Sequence, residues 1–310
     1  THTQPQLPCS QPRLFRMSLN VYYREDTAHN DGVWCLSWTS QYLLSGSLDA
    51  TIKLWSCGDK LTLAHTIDKH AFGVLSLSPN AQKKRFASST LDGEICSTSL
   101  DDPTSIVSMK AQPVENWTAA YTASGDHIVS GRRNGGVSIW RADTGDLESS
   151  LDPAGKFVVS VAVSPDGKCF ATGAMDGGVN IFDLETLKRV HTIEGFSMAV
   201  RSLCFSPDSA TLLAGCDDMH TTLYDLKHGA TITSLSGHSS WVLSVDHSPT
   251  AQTFATGSSD KKVKLWDIGT RQCLHTFSEH SDQVWGVAFS PNGERLASGS
   301  DDKSIIIYNC

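Results

Sequence analysis

Carboxylate, imidazole and hydroxyl stand in nearly the same relation at three points of this chain: His29, Ser45 and Asp49; His238, Thr256 and Asp260; His280, Ser298 and Asp302. These are the parts of a nucleophilic triad, in which the imidazole takes the hydroxyl proton and the carboxylate orients the imidazole. A hydrolase needs one such set in a cleft, with oxyanion donors beside it. Here the set recurs, and each copy is followed by a ring with a polar atom: Trp55, Trp266 or Tyr308. Recurrence marks a structural clamp. No catalytic residue is expected, and the chain reads as a non-enzyme.

Other chemistry finds little local support. Of the twelve histidines, His29, His70, His238 and His280 take the clamp position, and His65, His191 and His275 recur at whole multiples of one period. His2, His127, His220, His228 and His247 remain, without H-x-x-x-H or H-E-x-x-H spacing, so no metal is expected. The nine cysteines form no C-x-x-C pair and read as small hydrophobes in a reducing compartment. Gly155-Lys156 and Gly167-Lys168 are followed by Phe and Cys instead of Ser or Thr, so no phosphate cradle and no cofactor are expected. A net charge of −8, with no basic run longer than Lys83-Lys84-Arg85, makes nucleic acid a poor partner. No apolar stretch nears the roughly 20 residues that span a bilayer.

What positions the clamps is that period. Trp55, Trp140, Phe182, Tyr224, Trp266 and Tyr308 close strand-like runs. From Trp140 onward the step between them is constant, and the interval from Trp55 to Trp140 holds two near-equal steps, with Thr98 in the vacant slot. Six positions before each slot stands a turn former: Asp49, Asp92, Asn134, Asp176, Asp218, Asp260 or Asp302. Ten before it stands a small residue: Ser45, Ser88, Ser130, Thr172, Ala214, Thr256 or Ser298. Each period reads as four short strands alternating as half-buried strands do, and four-stranded units repeated every ~40–45 residues are propeller blades. The expected fold over residues 17–310 is all-β: a seven-bladed β-propeller with four antiparallel strands per blade. The seventh period stops after its third strand, and Met17–Tyr23 is a spare strand-like run. That N-terminal strand is expected to complete the last blade and close the ring. Residues 1–16, polar and with three prolines, are expected to form a disordered tail.

Gly237-His238, Thr256-Gly257, Asp260 and Trp266-Asp267 resemble the WD-repeat (WD40) family. The resemblance implies a buried tetrad in which Asp accepts from His, His meets the hydroxyl, and the hydroxyl accepts from Trp. The middle repeats depart from it. Their His slots fall at or beside Pro113, near Ala154 and at Phe196; Ala214 replaces a hydroxyl and Thr98 an aromatic. Those blades are expected to lean on apolar packing. Segments such as Gly155–Lys168, Val200–Ser209 and His280–Val287 are similar to the WD-repeat subunits of superkiller complexes, which in animals also serve the polymerase-associated factor complex. That likeness implies a scaffold for mRNA decay, beside a helicase and a helical-repeat scaffold, and for transcription elongation. It also implies protein partners in nucleus and cytoplasm, no direct nucleic-acid or membrane contact, and a monomer when alone.

A propeller's partners meet its loops. Trp117, Phe157, Met198 and Trp241 fall near the starts of first strands, and Arg133, Met175, Asp217 and Ser259 just before the turn residues. With Arg201 they form the expected partner-binding surface on the top face. The alternative is a substrate receptor of a ubiquitin ligase, for which Arg132, Arg133 and Arg201 would converge on a phosphate. A propeller enzyme would need a metal or carboxylates in the central channel, which apolar runs such as Val158–Val163 do not supply.

Overall fold

Each period is pinned by one side chain. The Oδ1 atoms of Asp49, Asp92, Asn134, Asp176, Asp218, Asp260 and Asp302 each accept the N–H of the residue two further on, at 2.9 Å for Asn134 and 3.5 Å for Asp92. This Asx turn mimics a backbone turn. The residue it encloses is left-handed: Gly93, Gly135 and Gly177, but also Ala50 (φ 65°), Met219 (φ 70°), Lys261 (φ 70°) and Lys303 (φ 71°). A left-handed non-glycine costs roughly 1–2 kcal/mol, which the acid's hydrogen bonds offset.

The computed structural model describes residues 19–58, 60–109, 116–151, 156–193 and 198–310. The expected tail, and the His slots at Pro113, Ala154 and Phe196, lie outside them. Among the described residues, strands β1 to β28, numbered in chain order, form seven four-stranded antiparallel sheets. The chain is therefore the expected seven-bladed propeller. Its sixth blade is β22 (Val242–His247), β23 (Thr253–Ser258), β24 (Val263–Asp267) and β25 (Gln272–Phe277). Its second is β6 (Val74–Asn80), β7 (Arg85–Thr90), β8 (Ile95–Ser99) and β9 (Ile106–Ser108).

The seventh sheet, with β26 (Val284–Phe289) and β27 (Arg295–Ser300), has the order β1-β28-β27-β26. β1 (Asn20–Glu25) runs antiparallel to β28 (Ile305–Asn309), from Asn20 opposite Asn309 to Glu25 opposite Ile305, with a bulge between Val21 and Tyr23. The N-terminal strand closes the ring as expected.

The core lies between blades. Val263, Leu265 and Phe277 of the sixth bury against Val284, Val287 and Tyr308 of the seventh. Ala297, Ile305 and Ile307 of the seventh bury against Val33, Leu36 and Leu43 of the first. The Thr256-Gly257 and Ser298-Gly299 pairs show why hydroxyl and glycine travel together. The hydroxyl serves the clamp, while a Cβ on Gly257 would stand 2.9 Å from Val284 Cγ1, and one on Gly299 2.7 Å from Val33 Cγ1. Only a bare backbone lets the next blade's first strand come that close.

Candidate functional site

The three complete clamps have one geometry. In the sixth blade His238 Nδ1 lies 2.9 Å from Asp260 Oδ2, and Nε2 2.6 Å from Thr256 Oγ1, which accepts the Trp266 indole N–H at 2.9 Å. In the first, His29 Nε2 is 2.7 Å from Ser45 Oγ, which accepts from Trp55 at 2.8 Å, and Nδ1 is 3.1 Å from Asp49 Oδ2. In the seventh, His280 bridges Asp302 (2.9 Å) and Ser298 (2.7 Å), with Tyr308 Oη 3.1 Å from the Ser298 hydroxyl. Burial pushes the Asp260 carboxyl up, but the hydrogen bonds from His238 and the Ser239 N–H outweigh it and hold the pKa at about 2. Asp49 and Asp302 are lowered in the same way. Burial lowers His29 despite Asp49, favouring the neutral ring. The hydroxyls of Ser45, Thr256 and Ser298 are fully buried beneath their rings, where no substrate carbonyl reaches them. The clamps are structural.

The degenerate blades divide. Trp140 Nε1 donates to Ser130 Oγ at 2.8 Å, and Ser130 donates onward to Asn116 Oδ1 at 2.9 Å. The third blade therefore keeps a polar chain with an amide in the imidazole's place, beside the apolar packing on which it is expected to lean. The fourth does use packing, with Phe170 and Phe182 stacked at 4.9 Å.

On the top face, the innermost strands of all seven blades line an axial cavity of about 370 Å³. Trp117 meets Phe157 edge-on at 5.2 Å, and Arg133 lies over both rings, 5.3 and 5.9 Å from their centroids. Arg201 grips Asp217 through Nε (2.9 Å) and Nη2 (2.8 Å) and lies 5.6 Å from the Trp241 ring centroid. The Ser259 hydroxyl donates to Ser240 Oγ at 2.7 Å, a contact within its own blade. Met175, Met198 and Trp241 are 40, 43 and 43 % exposed. Thus Trp117, Arg133 and Phe157 form one group and Arg201, Asp217 and Trp241 another. Asp217 is buried and serves as the counter-ion of Arg201.

Sequence reasoning missed a third group. Trp34 and Trp285 stack at 4.3 Å, and their indole N–H groups both donate to Asp301, at 2.9 and 2.8 Å. This pair spans the junction of the seventh and first blades. The signal was present, because Trp117, Arg201 and Trp285 are spaced by whole multiples of the repeat. The channel below is also more polar than its first-strand runs suggest. Ser76, Thr118, Ser160, Ser202 and Ser244 line it, and several bond the next blade, as Ser202 and Ser244 do to the N–H groups of Val245 and Val287, both at 3.1 Å.

The WD domain, G-beta repeat, matches residues 21–56, 145–183, 187–225, 229–267 and 271–309, well over half of the chain. The chain belongs to the WD-repeat family. Proteins of this architecture are typically non-catalytic interaction scaffolds, and no enzymatic family is evident. The second blade and the first three strands of the third fall between the first two matched segments. Among curated relatives, WD repeat-containing protein VIP3 of Arabidopsis thaliana is 40% identical over 166 residues, 47% of this chain and 51% of that protein. WD repeat-containing protein SL1-17 of Schistosoma mansoni is 34% identical over 151 residues, 46% of this chain and 50% of that one. Superkiller complex protein 8 of Dictyostelium discoideum is 34% identical over 105 residues, covering 33% and 35%. The chain spans about half the length of the first two of these relatives, and about a third of the last.

Proposed function

We propose that this WD-repeat propeller is a non-catalytic scaffold subunit of RNA-decay (superkiller) and transcription-elongation (polymerase-associated factor) assemblies, acting in nucleus and cytoplasm. It binds protein segments at the mouth of its channel. One observation carries the reading: three aromatic groups, around Trp34, Trp117 and Trp241, ring that mouth, with Met175 and Met198 exposed beside them. Trp, Met and Arg are the types enriched at interface centres. The relative named Superkiller complex protein 8 supports the choice of assembly. The ubiquitin-ligase alternative needs Arg132, Arg133 and Arg201 to converge on a phosphate, and Arg133 lies over the Trp117 and Phe157 rings. Arg132 is spent on Ser150 Oγ and the Leu151 carbonyl (2.7 and 3.0 Å), and Arg201 is neutralised by Asp217.

The test is binding of the full chain to a purified superkiller helical-repeat scaffold. Replacing Met175 and Trp241 together by Ala is expected to weaken binding at least tenfold, the order of a hot-spot loss, with the melting temperature unchanged. Unchanged affinity with intact stability removes this face from the account.

A further inference from the structure

The second blade rearranges its clamp into a different polar group. Where His29, His238 and His280 meet the turn Asp, His70 does not. Asp92 Oδ1 is occupied by the Thr90 hydroxyl and the Glu94 N–H, and His70 Nδ1 instead faces Glu94 Oε2 at 3.5 Å. Beside them is a thiol. Cys96, in the middle of β8, stands in register between Ser88 and Ser108, and Ser88 is the residue whose hydroxyl meets His70 Nε2 at 3.1 Å. In the other blades that register position holds Lys53, Ser138, Asn180, Thr222, Lys264 and Ile306. Only the second blade combines a thiol there with a carboxylate two residues beyond the turn acid.

We propose that His70, Glu94 and Cys96 form a zinc site. One ligand atom from each lies within 4.8 Å of the others, and nitrogen, oxygen and sulfur are the donor set of a borderline-soft cation. Zn–N and Zn–O near 2.0 Å and Zn–S near 2.3 Å set tetrahedral ligands roughly 3.3–3.6 Å apart. The 3.5 Å between Nδ1 and Oε2 is long for a strong hydrogen bond and right for two ligands of one ion. Glu94, whose side chain is 39% exposed, is the ligand nearest solvent. Ser88 fixes the imidazole through its other nitrogen, the supporting contact that metal-bound histidines use. Ser108 Oγ lies 3.4 Å from the sulfur and 3.3 Å from Glu94 Oε1, lining the side on which water would complete the coordination. One thiolate and one carboxylate balance the two charges of the ion, leaving this partly exposed site neutral. The ligand is the thiolate, so binding releases the Cys96 proton. The ion would then tie the loop before β6 to β8, the tie that the other clamps make through Asp and Trp.

The experiment titrates the chelator-treated full chain with cobalt(II), then zinc(II). One equivalent of cobalt is expected to produce a thiolate-to-cobalt charge-transfer band that zinc abolishes, and zinc is expected to raise the melting temperature. Cys96→Ser, which keeps the side-chain shape but removes the thiolate donor, should remove both effects. Glu94→Gln should weaken affinity by more than the roughly 10–100-fold lost when supporting contacts are removed. Cys273→Ser, which removes an exposed thiol elsewhere, should change neither. A folded wild type without the band, or a band that survives Cys96→Ser, overturns the site.

Discussion

In the sixth blade the polar chain runs unbroken from Asp260 through His238 and Thr256 to the indole of Trp266. In the second it stops at Ser88, beyond which Thr98 offers no ring N–H. Yet the two blades share strand order, the bulge in the first strand pair and the Asx turn. The clamp is therefore not what gives a blade its shape. Strand alternation and the turn acid do that. The clamp adds a fully satisfied buried network, in which each lost partner leaves a desolvated atom behind. Where the network has decayed, its residues are free for other chemistry.

The largest test of this contrast is to cut the network at its aromatic end. Trp266→Ala removes a buried ring that stacks on Phe254 at 6.0 Å and leaves the Thr256 hydroxyl short of a donor. It should cost about 3–5 kcal/mol. Thr98→Ala, at the matching slot, removes far less buried volume and should cost about 1 kcal/mol. Urea midpoints at unchanged m-value measure both. Equal costs would mean that the second blade depends on its own slot as much as the sixth does.

Acid probes the other end. Asp260 ionises at about 2 in the folded protein, below its ordinary value of 3.8. The unfolded chain therefore binds the proton first as pH falls, and stability present above about pH 4 is lost between about pH 4 and 2. In that window Asp260→Asn should flatten the decline by about 1–2 kcal/mol, and Asp49 and Asp302 are held low by the same contacts. An unaltered acid limb in the Asp260→Asn variant would show that the carboxylate contributes nothing ionic to the clamp.

What the sequence revealed, and what it hid, follows from distance along the chain. The ring and the three full clamps were legible because identical residue types recur at one fixed step. Asn116 was not, since it stands 14 residues before its hydroxyl partner Ser130, where His238 and His280 stand 18 before theirs. The Arg201–Asp217 pair was read as two exposed candidates, whereas the fold makes them a partly buried ion pair. The Trp34–Trp285 stack joins residues from opposite ends of the chain. His70, Glu94 and Cys96 meet through cross-strand register, which no local spacing rule for metal ligands samples.

Glu94 is where the smallest effect decides the most. It takes the slot that Thr51 and Ser304 fill in the first and seventh blades, whose hydroxyls stand 3.1 and 3.2 Å from the clamp imidazole and bond the turn Asp as well. Those are buried or half-buried supporting contacts, and Thr51→Ala should cost about 1 kcal/mol. Glu94 reaches His70 only at 3.5 Å from a partly exposed position, where solvent screens most of the attraction. In metal-free protein Glu94→Gln should therefore cost no more than about 0.5 kcal/mol by urea unfolding. A cost above about 1.5 kcal/mol without metal, beyond the reach of a screened surface pair, would make Glu94 the second blade's structural acid, a stand-in for Asp260. The contrast between the blades would then shrink to the missing indole. A negligible cost leaves His70 without a strong acidic anchor, which is the condition under which an ion can take it.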